Sequence, residues 1–177
     1  MDKPNGRIHK FGYSDEDFKK RLDNGYPWQE WVAQFLRNHG VEVEVTEYKF
    51  RDSIDQIGTF TKYERDLWLP KIEQSIEVKS RSLPFTGWAD YPHGDIIVDT
   101  LQSYEAKAHP PLAYVIVSQV TGGMIVIPGT SRHMWAVKQL VDKQRGVADT
   151  FLLASKSSCV SMQWLISAIK TFEYARR

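Results

Sequence analysis

Apolar residues recur at helical spacing at Trp28, Trp31, Val32, Phe35 and Leu36, and this stripe predicts a helix over residues 28–38. Asn24-Gly25-Tyr26-Pro27 reads as a break before it, Pro27 suits its first turn, and Gly40 suits its end. The period then changes to two. Val41, Val43 and Val45 alternate with Glu42 and Glu44, which predicts a strand over residues 41–48. Leu67-Trp68-Leu69 and Ser75-Ile76-Glu77-Val78 read as two short strands around the turn-like Pro70-Lys71-Ile72-Glu73-Gln74. The pattern between them and the first strand is weak, with a turn at Arg51-Asp52-Ser53 and a strand near residues 57–61.

Residues 83–94, with prolines, glycines, Trp88, Tyr91 and His93, read as a surface loop. Asp95-Ile96-Ile97-Val98 is a short apolar run, after which Asp99 or Thr100 caps a helix through Ala108, closed by Pro110-Pro111. Residues 113–119 and 124–127 form a strand pair about Thr121-Gly122-Gly123. A helix over 131–143, a strand over 150–154 and a helix over 160–174 complete the chain. Residues 1–24, with a charged stretch from Ser14 to Asp23 that suits a short helix, read as an N-terminal arm or cap, and residues 25–177 as a single domain.

The hairpin carries the candidate chemistry. If its turn closes near Lys71 and Ile72, Asp66 falls opposite Glu77. Side chains alternate along a strand, so Glu77 and Lys79 share one face while Ile76 and Val78 take the other. Two converging carboxylates repel unless a cation neutralises them, and hard oxygen ligands suit magnesium, which keeps waters and takes a phosphate oxygen. Beside such a cation an ammonium can help position water and offset phosphate charge. Glu-x-Lys alone is a common tripeptide, equally at home on an edge strand.

Context adds more than the tripeptide does. Asp66-Leu67, followed after a turn by Ile76-Glu77-Val78-Lys79-Ser80-Arg81-Ser82, resembles the second and third core strands of the PD-(D/E)xK nuclease superfamily. The helix over 28–38 and the strand over 41–48 stand where that family places its first two elements, and the resemblance covers residues 25–128. It implies an α/β, restriction-endonuclease-like fold with a mixed β-sheet core in the order αβββαβ, flanked by helices and terminal additions. The activity implied is that of a magnesium- or manganese-dependent nuclease hydrolysing DNA, with RNA as the alternative substrate. Asp66 and Glu77, with the carbonyl of Val78, would hold the metal, and Lys79 would orient or activate water. Many nucleases of this fold pair to cut both strands, so a homodimer is one expected state.

The resemblance is not complete. Arg65 stands where the family name has proline. The family's first helix often carries a metal-holding glutamate, and Glu30 is the one offered here. The apolar stripe turns Glu30 away and leaves Gln29 at its edge, so Glu30 reads as a solvated helix residue. Gln102 and Tyr104 sit too close to the lysine motif to match the glutamine and tyrosine of exonuclease-like branches.

Composition adds constraints. A formal net charge of only +1 provides no global field for a nucleic acid, so local contacts must do the work. Arg81 continues the alternation of Glu77 and Lys79 and is a candidate phosphate contact. Trp88 and Tyr91 are candidate stacking residues, while Trp28, Trp31, Trp68 and Trp164 are expected in the core. The five histidines lack metal spacing. One cysteine, Cys159, excludes an internal disulfide framework, and no apolar run suggests a signal peptide or membrane span; a cytoplasmic protein without membrane contact is the expectation. Two competing readings remain: a nucleic-acid-binding module of the same fold that no longer cuts, and a protein-interaction module using the aromatic loop. Retention of all three polar site residues speaks against the first.

Overall fold

The computed structural model describes residues 15–46, 65–142 and 147–176. The first helix, α1 (Asp15–Asn38), buries Val32, Ala33 and Leu36, with Trp28 and Phe35 packed at the margin of the same core. Gly40 terminates it at a φ of 76°, where its N–H donates to Arg37 O and that of Val41 donates to Leu36 O. That left-handed cap releases the chain from the helix, and glycine adopts it without a Cβ penalty.

Five strands form a mixed sheet in the order β1 (Glu44–Val45), β2 (Leu67–Leu69), β3 (Gln74–Arg81), β5 (Ala113–Ser118) and β6 (Met124–Pro128). β1, β2 and β3 are antiparallel neighbours, β5 runs parallel to β3, and β6 returns antiparallel to β5. The parallel step needs a crossover, supplied by β4 (Asp95–Thr100) and the short helix α2 (Leu101–Glu105). β4 belongs to a second, three-stranded antiparallel sheet with β8 (Val147–Ser155) at its centre and β7 (Ala136–Asp142) at its edge. The last helix, α3 (Met162–Ala175), is capped by Ser161, whose hydroxyl accepts from Trp164 N.

The five-stranded sheet is covered on both faces. Ile76, Val78, Ala113, Val115 and Val117 point toward α1 and α3, where Leu36, Leu165 and Ile169 are fully buried. Tyr114, Ile116, Ile125 and Ile127 point the other way, against Ile96, Val98, Leu152 and Ala154 of the second sheet. Every residue of β5 is therefore buried, and its Ala-Tyr-Val-Ile-Val reads as a continuous apolar run.

Several expectations are corrected. α1 runs through Gly25 and Pro27 without interruption, so the break expected at residues 24–27 is absent and the helix crosses the expected arm–domain boundary. Proline costs one intrahelical bond, and the packed half from Trp28 onward anchors the helix beyond it. β1 is two residues long, not the expected eight; residues 47–48, the strand near 57–61, the turn at 51–53 and the arm's residues 1–14 lie outside the described residues. The capped helix ends at Glu105 instead of Ala108, in keeping with the bias against helix ahead of Pro110-Pro111. The helix expected over 131–143 is a 3₁₀ turn, Gly129–Met134, followed by β7. Val137 and Val141 are exposed on that edge strand, so their spacing marks no buried helical stripe. Trp31 and Trp164, expected inside, are exposed by 51% and 44%, and Tyr91, expected on a loop surface, is buried against Phe85.

The loop between β3 and β4 is pinned from beneath. Thr121 Oγ1 donates to the carbonyl of Phe85, and a Cβ on Gly123 would overlap that same oxygen. Backbone cannot yield as a flexible side-chain tip does. Gly123→Ala is therefore expected to destabilise the fold by about 1–3 kcal/mol, the range for overpacking, read as a lower urea midpoint with unchanged slope. An unchanged midpoint would show that the loop is not clamped there.

Candidate active site

The hairpin register pairs Leu67 with Ile76 and Leu69 with Gln74, so the next pair outward is Asp66 with Glu77. β2 stops there. The N–H of Val78 consequently finds a side chain, donating to Asp66 Oδ2 at 2.7 Å, while Gln29 Nε2 of α1 donates to Asp66 Oδ1 at 2.8 Å. Both oxygens of Asp66 are thus held, one by the sheet and one by the helix. Glu30, by contrast, pairs with Arg37 at 2.6 Å on the exposed side of α1. The helix phase expected from the apolar stripe holds.

Glu77 and Lys79 project from β3 on the face that carries Tyr114 and Ile116, their cross-strand neighbours on β5. Lys79 Nζ lies 3.4 Å from Glu77 Oε2 and 4.0 Å from Asp99 Oδ1. A second lysine completes the group: Lys107 Nζ lies 3.0 Å from Asp99 Oδ2 and 3.7 Å from Glu77 Oε2. Coulomb attraction falls as 1/r, so Lys107 is the principal counter-ion of Asp99 and Lys79 that of Glu77. Tyr114 OH also donates to Asp99 Oδ2, and Thr100 N to Asp99 Oδ1.

Asp99 and Lys107 have no place in the Glu-x-Lys motif. Asp99 reads in sequence as a helix cap, a role taken by Thr100, whose hydroxyl accepts from Ser103 N. The available signal in the sequence is that a charged residue ends the apolar run Ile96-Ile97-Val98.

Three carboxylates crowd together here, beside the Lys79 and Lys107 ammoniums and with the Arg81 guanidinium within electrostatic reach of Asp99. Asp66 shows the consequence: burial, then the neighbouring charge of Glu77, pushes its pKa up to about 7, against the opposing pull of Lys79, the Val78 N–H and Lys107. Asp99 differs. Burial would raise it too, but Lys79 and Lys107 prevail and hold it below the usual carboxylate range. Lys79 loses hydration as well, yet Glu77, Asp99 and Asp66 together hold its proton more tightly than usual. Burial, then Asp99, pushes the Tyr114 phenol up, so it stays a hydrogen-bond donor.

Arg81 stands at the edge of the cluster, within electrostatic reach of Asp99 and Lys79, but its hydrogen bonds go to backbone. The Arg81 guanidinium donates to Ile97 O at 2.9 Å and Ser80 O at 3.0 Å, joining β3 to β4, and burial lowers its pKa. Trp88 packs against the core between the two sheets, and His93 sets its ring edge against Tyr91. Among the described residues, no three side chains of His, Cys, Asp or Glu form a metal-binding group. Any divalent cation here would rest on two carboxylates, a carbonyl and water. Comparison with protein-family models, curated proteins and solved structures finds no match. Among the described residues, no helix is long and apolar enough to cross a membrane.

Two outcomes are expected. With metal chelated, Asp66 in the unfolded chain ionises near its ordinary 3.8 while the folded protein keeps the proton until about 7. The unfolded state therefore binds fewer protons in that window, and stability falls as pH rises through it. Thermal melts between pH 5 and 8 in chelator should show the wild type losing stability relative to Asp66→Asn, which has no proton to lose; parallel curves would return Asp66 to the ordinary range. Glu30→Gln should leave the Asp66 environment unchanged, whereas Gln29→Ala frees Asp66 Oδ1. The pH dependence of melting in chelator should accordingly move for Gln29→Ala and not for Glu30→Gln; equal effects would mean the helix phase does not matter to the site.

Proposed function

We propose that this chain is a magnesium- or manganese-dependent nuclease of the PD-(D/E)xK class, hydrolysing DNA phosphodiesters. The observation that carries the reading is the meeting of Asp66, Glu77 and Lys79 at the open end of the β2–β3 hairpin, with Asp66 gripped by Gln29 of the first helix. The topology supports it: a helix, three antiparallel strands, a crossover containing a helix, and a strand parallel to the third follow the order αβββαβ that the resemblance implies.

The residues fit a hard divalent cation. A carboxylate held half-protonated near neutrality by burial and a neighbouring glutamate is a group that a cation would relieve, and the Val78 carbonyl shares a strand edge with the N–H that Asp66 already binds. Asp66, Glu77 and that carbonyl would hold it, with waters filling the remaining positions. When bound, the cation supplies charge neutralisation and a more acidic water. Lys79 orients that water through its ammonium and donates to the charge developing on the phosphoryl oxygens. Asp99 acts through Lys79, fixing its reach from the far side.

The test is incubation of supercoiled and linear DNA with magnesium, manganese or chelator. Nicking of the circle with either metal and none with chelator is the expected result. Asp66→Ala, Glu77→Ala and Lys79→Ala should each lower the rate by about 10²-fold or more, the scale for losing one preorganised electrostatic contact, with circular dichroism unchanged. Inertness of the wild type toward DNA and RNA in every metal would overturn the reading in favour of a binding module.

A further inference from the structure

Next to the carboxylate cluster a cleft of about 110 Å³ opens between the hairpin and the segment after α2, lined in part by Arg65, Trp68, Glu77, Lys107 and His109. Glu77 and Lys107 belong to both cleft and cluster, while Lys79 and Asp66 do not line the cleft. A group entering there reaches Lys107 before it reaches Lys79. The Lys107 ammonium is fixed from behind by Asp99 Oδ2 at 3.0 Å and Ser103 Oγ at 3.1 Å; its longer contacts are 3.4 Å to Ser103 O and 3.7 Å to Glu77, the latter on the shared wall.

The cleft's wall combines basic and aromatic groups with two carboxylates, Glu73 and Glu77, that are each paired with a basic side chain. The Arg65 guanidinium stacks on the Trp68 indole at 3.5 Å from the ring centre and, among the described residues, has no carboxylate partner. His109 adds an imidazole. Glu73, also on the wall, is paired with Arg176 at 2.9 Å. Asp99 also receives Tyr114 OH and Thr100 N, so it is held in place on the side away from the cleft and in turn fixes the Lys107 ammonium at the wall.

We propose that this cleft seats a phosphate of the substrate strand and that Lys107 is a second lysine of the site, contacting a non-bridging oxygen of that phosphate. The proposal rests on the nuclease reading and adds a division of labour to it: Lys79 serves the water, Lys107 the phosphate. Once a cation takes up Glu77, the 3.7 Å contact is the one Lys107 gives up, and the contact to Asp99 keeps the ammonium at the wall.

The experiment measures binding of a short DNA oligonucleotide in calcium over a salt series, and cleavage of the same oligonucleotide in magnesium, for wild type, Lys107→Gln, Lys107→Arg and Arg65→Ala. Loss of one phosphate contact should lower the slope of log affinity against log salt by about 0.7–0.9. Lys107→Gln should show that drop, with affinity lower by about tenfold or more and KM raised, and Lys107→Arg should restore both. A structural role for Lys107 would instead lower the melting temperature and leave slope and KM alone, which would overturn the proposal while the nuclease reading stands. If Lys107→Gln does not fold, Arg65→Ala on the opposite wall decides: a reduced slope supports the cleft and an unchanged one overturns it. A wild type that neither binds nor cuts would overturn the nuclease reading, and the proposal with it.

Discussion

A group of three carboxylates governs the ground between the hairpin and the second sheet. Asp66, Glu77 and Asp99 converge there, with Lys79 and Lys107 in ion-pair contact with Glu77 and Asp99 and the Arg81 guanidinium within electrostatic reach of Asp99. An ionised carboxylate away from water costs several kcal/mol unless it is paired, so each must be answered by a proton or a cation. Asp66 keeps its proton to about 7 chiefly because it is buried, and then because Glu77 lies beside it. Among the described residues no ion pair reaches it, and its oxygens are held by two neutral donors, the Val78 N–H and the Gln29 amide. Glu77 and Asp99 each have a lysine within 3.4 Å.

The site owes its position to a strand that ends early. With Leu67 paired to Ile76, a β2 longer by two residues would have occupied the N–H of Val78 in the ladder and left Asp66 no donor on the sheet. Truncation there turns a backbone group into a side-chain partner. The face matters equally. Ile76 and Val78 are committed to the helical side, so Glu77 and Lys79 must face the second sheet, where β4 delivers Asp99 and the turn after α2 delivers Lys107. The cluster therefore depends on the crossover that makes β5 parallel to β3: a tight hairpin after β3 would have brought neither residue.

How much of this was legible in the sequence depended on how local the signal was. The α1 stripe, the hairpin and the β5–β6 pair are short-range patterns, and Asp66, Glu77 and Lys79 lie within one hairpin whose alternation could be counted. Gln29 was legible as a phase, since the stripe turned Glu30 outward. The failures share one cause, tertiary context overriding local preference. Residues 136–142 carry apolar positions that fit a helix as well as a strand, and only pairing with β8 decides between them. Pro27 looks like a boundary until packing from Trp28 onward anchors a helix that runs through it. Asp99 and Lys107 were invisible as site residues because nothing in the spacing of positions 77, 99 and 107 indicates that they meet.

A buried ionic cluster is weak evidence of stability, since an apolar replacement of similar volume is often as stable or more so. That consideration separates the competing readings. A structural cluster would gain by being balanced, each carboxylate matched by its own cation, as Glu73 and Arg176 or Asp95 and Lys138 are at the surface. This one crowds three carboxylates together beside an open cleft, with Asp66 pushed up to about 7 by burial and by Glu77. A fold kept only for protein contacts through its aromatic loop has no use for a carboxylate so raised; moreover Tyr91 is buried and Trp88 is packed against the core, so the loop has little aromatic surface to offer a partner.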